Sequence, residues 1–318
     1  MSSKPGERFA YCNANCQLLS GVLNKATGMS PQNFAKRELF DPLGINDFYW
    51  PADPKGINYG WGDLQLYPYD MLKIGELMLH HGEMNKTIIV SQNWLQNATK
   101  AHVTNTGGND KYGYYWWVPG NDYPDVFEAV GRGGQRITVW PAKDIVIVFT
   151  GGGFNTSDLA SFIVRAIKSD NVIEANPSAL MQLEANIQNA VKAPVTTMQM
   201  KELPQMALTV SGKSYLLQKN TLDLSNLKIS FNNQAQATMD MVWEGENVIC
   251  EIGLDGKERF SFNPLVMLPQ ASTGEWINDT TLSIKLDLVG AINLYILKIN
   301  FAEEGKKIFI DLINILRL

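Results

Sequence analysis

The chain has 318 residues, and this length favours two domains over one. Its hydrophobic fraction of 45% and charged fraction of 19% are typical of a globular protein with a buried core. The net charge of −5, without any Lys/Arg-rich run, argues against non-specific nucleic-acid binding, and no apolar run is long enough to span a bilayer. Cys12 and Cys16 lie four residues apart with no histidine nearby, so neither a disulfide framework nor a metal site is predicted, and no cofactor is expected.

The first part of the chain alternates helical patterns with loops. Apolar periodicity and capping residues predict four helices there: residues 14–26, 31–39, 70–80 and a short segment after Ser91. Pro31 at the first helical position follows the capping residue Ser30, and Gly82 is suited to end the third helix. The first helix carries one apolar face, which includes Leu18, Leu19, Val22 and Leu23.

From Lys111 the pattern changes to strands. Four short strands are predicted: residues 111–118, 126–131, 135–140 and 145–150. The last three are separated by short turns, so they should form an antiparallel meander. An amphipathic helix is predicted over 158–168, with Leu159, Phe162, Ile163 and Ile167 facing inward.

The second part of the chain differs in period. Residues 171–204 are predicted to be a linker that contains a helix, and after Pro204 the apolar residues alternate almost throughout, as in Leu282, Ile284, Leu286 and Leu288. Turn signals divide this region into seven to nine strands. The sequence therefore predicts a small all-β domain over 205–318, of sandwich or barrel type.

Two short features stand out as sites of chemistry. The first is Tyr11-Cys12-Asn13, and the second is the turn Gly131-Arg132-Gly133-Gly134-Gln135. Neither is specific alone, but the ordered segments around them are: Pro-Gly-x-x-Phe-x-Tyr-x-Asn, Leu-Leu-Ser-Gly, Ala-Thr-Gly-Met-Ser, Leu-Phe-Asp-Pro-Leu-Gly-Ile, Trp-Gly-Asp-Leu, Tyr-Gly-Tyr-Tyr-Trp-Trp and the Gly-rich turn. This order resembles the serine β-lactamase and penicillin-binding-protein superfamily, and most closely its class C, esterase and amide-hydrolase branch, over roughly residues 4–168.

The resemblance implies a fold and a set of site residues. It implies an α+β protein in which residues 1–170 form a partial β-lactamase/transpeptidase-like domain, an antiparallel sheet flanked by helices. By resemblance, Tyr11 and Asn13 belong to the catalytic second motif, and Arg132, Gly133 and Gly134 to the substrate-binding third motif. Arg132 departs from the family's frequent Lys or His; it cannot act as a base, but it can hold a carboxylate. The plainer alternatives, a solvated turn arginine and a structural phenol at Tyr11, stay open.

The first motif of the family, Ser-x-x-Lys, is missing from its expected place. Its serine needs a neighbouring base, which the lysine supplies one helical turn away. The only such sequence is Ser225-Asn226-Leu227-Lys228, which follows both other motifs and lies in an alternating run. Residues three apart in a strand face opposite sides, so this pair is rejected as a nucleophile. His80, His81 and His102 suggest no independent active site.

Two functional hypotheses follow. The first is that the chain is the C-terminal part of a serine hydrolase that cleaves a β-lactam, a D-amino-acid peptide or a short ester through an acyl-enzyme, inactive as given because the nucleophile is absent. The alternative is a non-catalytic relative that binds cell-wall-like peptides in the retained cleft. A small-molecule or peptide substrate is expected. No signal peptide is recognised and the compartment is undetermined, although family members are often exported. An uncovered sheet edge and helix face predict self-association of residues 1–170.

Overall fold

The computed structural model describes Lys4, Glu7, residues 9–104, 111–119, Tyr123 and residues 125–152, 159–192 and 202–316. Pro5 and Gly6 of the Pro-Gly-x-x-Phe-x-Tyr-x-Asn segment and Asp158 at the start of a predicted helix lie outside them. The chain divides into two compact units that meet in sequence between Ala166 and Ile167. The finer division into a linker over 171–204 and a domain from 205 stays a prediction. No helix in the described ranges has the length and hydropathy to cross a membrane.

The first unit contains all the helices predicted for it. They are α1 (Asn13–Thr27), α2 (Pro31–Ala35), α3 (Pro68–Leu79), α4 (Gln92–Ala98) and α5 (Ala160–Ala166). Ser30 caps α2 by accepting a hydrogen bond from the Asn33 N–H, and Ser91 caps α4 in the same way. The second helix extends beyond Leu39 as predicted, but only Pro31–Ala35 is α-helical, and Lys36–Phe40 continues it as a π-helical turn. This wider turn carries the Phe40 ring into the core.

Helix α1 has an unusual pattern of burial. Its buried residues are Cys16 and Ser20, whereas Leu18 and Val22 on the predicted apolar face are 69% and 60% exposed. The helix therefore forms as its sequence predicts, but it packs through its small polar side. The apolar face is left towards solvent.

The main sheet of the first unit is an antiparallel meander. Between residues 103 and 149 the described residues form six strands in the order of the sequence. They are β5 (Val103–Thr104), β6 (Lys111–Tyr112), β7 (Trp117–Val118), β8 (Phe127–Val130), β9 (Arg136–Trp140) and β10 (Ile145–Phe149). Two small hairpins lie outside this sheet: β1 (Phe48–Tyr49) with β2 (Gln65–Leu66), and β3 (Glu83–Met84) with β4 (Thr87–Ile88).

The predicted strand over residues 111–118 is in fact a hairpin, so that prediction is wrong. Lys111 pairs with Val118 across it, and Tyr115 has a left-handed φ of 66° at the reversal. Gly113 makes the hairpin possible, because an added Cβ would lie 2.2 Å from the Ala98 carbonyl oxygen. The reversal follows from a contact with α4, which the local sequence does not display.

The two faces of the meander are covered unequally. Helix α3 packs on β9 and β10, and its Gly75 lets the helix approach Val146 closely. On the other face lies α5, which was predicted to turn Phe162 inward. That prediction is wrong: Phe162 is 62% exposed, while Ile163 is half-buried beside the sheet. One short helix thus covers only part of this face.

The second unit contains α6 (Pro177–Ala190), α7 (Gln205–Val210) and, within residues 202–316, nine strands, as the alternation predicts. They are β11 (Ser214–Leu216), β12 (Leu224–Asn233), β13 (Gln236–Trp243), β14 (Glu246–Gly253), β15 (Arg259–Asn263), β16 (Leu268–Asn278), β17 (Thr281–Leu288), β18 (Asn293–Ala302) and β19 (Lys307–Leu316). Along β17 every second residue is buried, which confirms the predicted inward face. The result is one nearly closed, barrel-like sheet with a packed apolar interior.

Helix α7 and one tyrosine bring the two ends of this sheet together. The order runs from β11 to β19, so these two strands are its ends. The Tyr215 hydroxyl on β11 donates a 2.8 Å hydrogen bond to the Gly305 carbonyl, in the turn before β19. Val210 and Met206 of α7 pack against the same glycine. The first unit is therefore an α+β fold and the second is a β-barrel-like fold, as predicted.

Candidate functional site

Tyr11 lies immediately before α1 and is held by aromatic contacts. Its ring stacks on Trp117 of β7, with centroids 5.7 Å and planes 29° apart, and meets Tyr112 of β6 edge-on at 6.2 Å. The Phe9 ring also contacts Tyr112, with 5.1 Å between centroids. The residue is nevertheless 51% exposed. Contacts with two rings thus hold the Tyr11 side chain in place while half of the residue stays exposed.

The surroundings of Tyr11 keep its phenol protonated. Partial burial raises the pKa of Tyr11 above its ordinary value, and the nearby Cys16 thiol adds to the effect. Burial also raises the pKa of Tyr112 and of Tyr115. A neighbouring cation would favour the phenolate form of Tyr11, whereas burial and a nearby thiol favour the protonated form. Tyr11 in this chain is therefore suited to donate a hydrogen bond and not to act as a base at neutral pH.

Asn13 begins α1 and exposes its carboxamide to solvent. Cys12 precedes it in an extended conformation as the N-cap residue, and its side chain makes no capping bond. One turn further on, Cys16 is buried against the Tyr115 hydroxyl; burial raises the pKa of this thiol, and the hydroxyl partly offsets the rise. Asn13 and Tyr11 thus stand at the start of one helix over a buried, protonated thiol.

The Gly-rich turn joins β8 to β9 and requires its glycines. Gly133 and Gly134 have φ values of 81° and 95°, a region that other residues rarely adopt. The Gly131 N–H donates a 2.8 Å hydrogen bond to the Gln135 carbonyl and closes the turn. The Gln135 carboxamide in turn binds the backbone of Gly151, after β10. Gly133 and Gly134, which have no Cβ atoms, therefore lie where β8 ends and β9 begins.

Arg132 projects from this turn and has a carboxylate neighbour that the sequence did not single out. Desolvation raises the pKa of the Asp63 carboxyl, and the positive charge of Arg132 lowers it in part. Asp63 also has a left-handed φ of 60°, a strained conformation for a residue with a Cβ. The Trp-Gly-Asp-Leu segment of the family pattern was the only signal for it. Arg132 itself is exposed, and Asp63 is near enough for the charge of Arg132 to act on its carboxyl.

The loop before Asp63 packs against α1, the helix that follows Tyr11. The Gly60 N–H donates a 3.0 Å hydrogen bond to Gln17 of α1, and a Cβ on Gly60 would lie 2.3 Å from the Cys16 carbonyl oxygen. Within the described residues, Tyr11 and Arg132 share no hydrogen bond or ring contact of their own. Their convergence on a single cleft stays a prediction.

A cavity of about 250 Å³ adjoins Tyr11 and is mostly aromatic. Its walls include Cys16, His102, Tyr112 and Tyr115, and its size suits one small substituent of a substrate. Across the described ranges, no three His, Cys, Asp or Glu side chains lie close enough together to hold a metal ion. The chemistry on offer around Tyr11 is therefore neutral hydrogen bonding and aromatic contact.

The rejected pair Ser225 and Lys228 lies on β12, as predicted, but one reason for rejecting it needs correction. A β-bulge shifts the register between Leu224 and Asn226. Leu224 and Leu227 are both buried, so Ser225 and Lys228 both lie on the solvent side and not on opposite faces. Lys228 nevertheless forms an ion pair with Asp240 at 3.3 Å, and no hydrogen bond joins it to Ser225 within the described strand. The pair still lacks the geometry of a serine with its base.

The first unit is similar to known proteins. A family model described as Beta-lactamase matches residues 1–167. The 6-aminohexanoate-dimer hydrolase of Paenarthrobacter ureafaciens is 26% identical over 150 residues, which are 44% of this chain and 38% of that protein. The chain thus spans well under two thirds of the length of this curated relative.

Two solved structures are also similar. One, from Bacillus anthracis and assigned as a 6-aminohexanoate-dimer hydrolase, is 22% identical with a TM-score of 0.43, over 59% of this chain and 45% of that one. The other, the octameric penicillin-binding protein homologue from Pyrococcus abyssi, is 17% identical with a TM-score of 0.42, over 98% of this chain and 64% of that one. Because the family model covers more than half of the sequence, this chain belongs to the beta-lactamase family.

Proposed function

We propose that residues 1–167 form the part of an amide- or ester-hydrolase cleft that carries its second and third motifs. The observation that supports this most is the setting of Tyr11, whose half-exposed phenol is fixed on Trp117 beside a small aromatic cavity. The relative from Paenarthrobacter ureafaciens is named as a hydrolase of the 6-aminohexanoate dimer. A β-lactam, a D-amino-acid peptide or a short ester is the substrate class for the whole protein.

Each site residue has a role in this proposal. The Tyr11 hydroxyl donates a hydrogen bond to the leaving group, and the Asn13 carboxamide binds a substrate carbonyl. Gly133 and Gly134 let the substrate approach the backbone, where an N–H can stabilise a developing oxyanion. Arg132 binds a substrate carboxylate through two parallel hydrogen bonds. The Asp63 carboxyl acts on Arg132 through its charge and limits how strongly that anion is held.

The chemical step needs a serine with a neighbouring base, and the sequence contains one Ser-x-x-Lys. In an acyl-enzyme mechanism a serine Oγ adds to the substrate carbonyl carbon, the carbonyl–nitrogen or carbonyl–oxygen bond breaks, and the serine proton passes to the leaving group. The one Ser-x-x-Lys lies on β12, where its lysine pairs with Asp240. This chain alone should therefore bind such ligands without turning them over.

A non-catalytic relative that binds cell-wall-like peptides is the second candidate. The raised pKa of Tyr11 favours it, because a protonated phenol suits binding more than proton transfer. The coding sequence upstream of residue 1 distinguishes the two candidates. An in-frame Ser-x-x-Lys there supports the hydrolase, and a stop codon without one supports the binding protein.

Binding can be tested by calorimetry with N-acetyl-D-alanyl-D-alanine, which offers one carboxylate and two amide carbonyls. Arg132→Gln should weaken binding about tenfold, the loss expected for a bidentate charged pair, and Arg132→Lys should weaken it less. Arg165→Gln on α5 is the matched control and should have no effect. Equal affinity of the wild type and Arg132→Gln would contradict the role given to the third motif.

A further inference from the structure

The cavity beside Tyr11 is walled by aromatic rings to an unusual degree. Its volume is about 250 Å³, and among the described residues that line it only Ala10 and Val103 carry aliphatic side chains. A hydrocarbon ligand is served as well by aliphatic walls, so this composition points to a ligand that binds ring faces in particular. The rings that line the cavity are those of Phe9, Tyr11, His102, Tyr112, Tyr114 and Tyr115.

These rings meet at steep angles around Tyr112. The plane of Tyr11 stands at 86° to that of Tyr112, with 6.2 Å between centroids, and the plane of Tyr115 stands at 74°, with 6.3 Å. Rings at such angles direct their π faces along different directions. A group in the cavity is therefore bordered by aromatic rings on more than one side, as in an open aromatic cage.

The cage is formed in the free protein. Tyr112 is 8% exposed on β6, and Tyr11 is stacked on Trp117. Tyr115 has a left-handed φ of 66°, and its hydroxyl shares a hydrogen bond with the Cys16 thiol. Because these walls are already ordered, a ligand does not have to arrange them on binding.

The charge of the walls restricts the ligand further. No Lys, Arg, Asp or Glu is among the described residues that line the cavity, so an anion finds no cationic partner there and a primary ammonium finds no carboxylate for its three N–H groups. Burial raises the pKa of Tyr11, Tyr112 and Tyr115, which keeps their phenols neutral. A methylated ammonium fits these walls, because it carries a positive charge for the ring faces and, when quaternary, no N–H to satisfy.

We propose that this cavity binds a quaternary, methylated ammonium group through cation–π contacts with its tyrosine rings. The net charge of −5 on the chain favours a cation over an anion as well. The proposal deepens the proposed function by naming the substituent that lies beside Tyr11 in a substrate, and this extension rests on that function. Binding of the ammonium group itself does not.

Choline and 3,3-dimethylbutan-1-ol provide a direct test, because they have the same shape and differ in the charge at the branched centre. The full chain is titrated with each at pH 8, and the proton resonance of the ligand methyl groups is followed by NMR. We expect saturable binding of choline with an upfield shift, since its methyl groups lie over ring faces. The neutral alcohol should bind about fivefold to tenfold more weakly. Ethanolamine, the primary ammonium, should also bind more weakly than choline.

Tyr115→Leu removes one aromatic wall and keeps an apolar side chain. It should weaken choline binding about fivefold and leave the alcohol within about twofold, whereas Tyr115→Phe keeps the ring and should retain most of the choline affinity. Tyr69→Leu, at a position on α3 that is 81% exposed, is the matched control and should change neither ligand. Far-UV circular dichroism establishes that the variants fold.

Equal affinity of the wild type for choline and the neutral alcohol, or no saturable binding of choline, would overturn the proposal, and neither result depends on a variant. Tighter binding of ethanolamine than of choline would overturn it too, and so would an equal effect of Tyr115→Leu on both ligands. The proposed function is judged separately, by the effect of Arg132→Gln on dipeptide binding. Loss of one result with the other intact therefore shows which of the two proposals has failed.

Discussion

The ring of Tyr11 lies on the indole of Trp117, with 5.7 Å between centroids, and this contact ties the second motif to the central sheet. Removing the ring should therefore cost more than removing the hydroxyl. Tyr11→Ala should lower the free energy of unfolding by about 1 kcal/mol beyond the loss of buried area, the usual value of an aromatic pair. Tyr11→Phe should stay within about 0.5 kcal/mol of the wild type.

Urea unfolding monitored by tryptophan fluorescence measures both variants. Trp94→Leu serves as a control, since Trp94 contacts Tyr114 and lies on the exposed part of α4. If Tyr11→Ala and Tyr11→Phe were equally stable, the stack would not hold the motif in place.

The buried phenol of Tyr112 predicts a loss of stability in alkali. Burial raises the pKa of Tyr112 above the ordinary value of 10.0 in the folded state. Below that pH both states keep the proton and this group adds no pH dependence. Above it the unfolded chain loses the proton first, so the free energy of unfolding falls as the pH rises. Urea unfolding from about pH 9 to 11.5 should show this decline.

Tyr112→Phe cannot ionise, so its decline above pH 10 should be shallower than that of the wild type. Tyr69→Phe, at a highly exposed position on α3, should behave like the wild type. Parallel curves for the wild type and Tyr112→Phe would show that this phenol ionises normally.

The turn of the third motif should be destabilised by a side chain at its glycine positions. Gly133→Ala places a Cβ on a buried residue with φ of 81°, and we expect it to lower stability by about 1–2 kcal/mol. Gly21→Ala is the matched control: it lies inside α1 with open space around the added Cβ, and should raise stability by about 0.5–1 kcal/mol. Thermal unfolding measures both, and an equal effect of the two substitutions would contradict the geometry of the turn.

The uncovered faces of the first unit predict association. Leu18 and Val22 on α1 and Phe162 on α5 are each more than half exposed. Apolar faces of this kind tend to find a partner. We expect residues 1–170 to form oligomers in size-exclusion chromatography with light scattering, and residues 205–318, whose core is filled from within, to elute as a folded monomer. A monomeric, cooperatively unfolding fragment 1–170 would refute the first expectation.

The sequence predicts the elements better than their contacts. Helix α1 and the alternation of β17 follow from periodicity and are present as expected. The hairpin at Tyr115 does not follow from it, because the close approach of Gly113 to the Ala98 carbonyl decides the reversal. The bulge at Ser225 likewise interrupts the alternation of buried and exposed residues along β12, which the sequence pattern predicts to be regular. Both depend on neighbours distant in sequence or on backbone geometry.

The candidate site shows the same limit. Tyr11 and Arg132 could be chosen from the ordered segments around them. The stacking of Tyr11 on Trp117 and the proximity of Asp63 to Arg132 could not be predicted in this way. A regular strand over 111–118 would point Trp116 and Trp117 to opposite faces by simple alternation. In the structure Trp116 does pack in the core against Phe127, while Trp117 contacts Tyr11. These partners are brought together by tertiary structure alone.

Intact-mass spectrometry tests the central claim most directly, namely that this chain keeps the second and third motifs of the family without a working nucleophile. The purified chain is incubated with a penicillin and, separately, with a fluorophosphonate, and its mass is measured. We predict no covalent adduct with either reagent, because Lys228 is paired with Asp240 and Ser225 lies in a strand bulge. A stoichiometric adduct on any serine would contradict the account, and an adduct on Ser225 would show that the bulged strand of the second unit carries the active site.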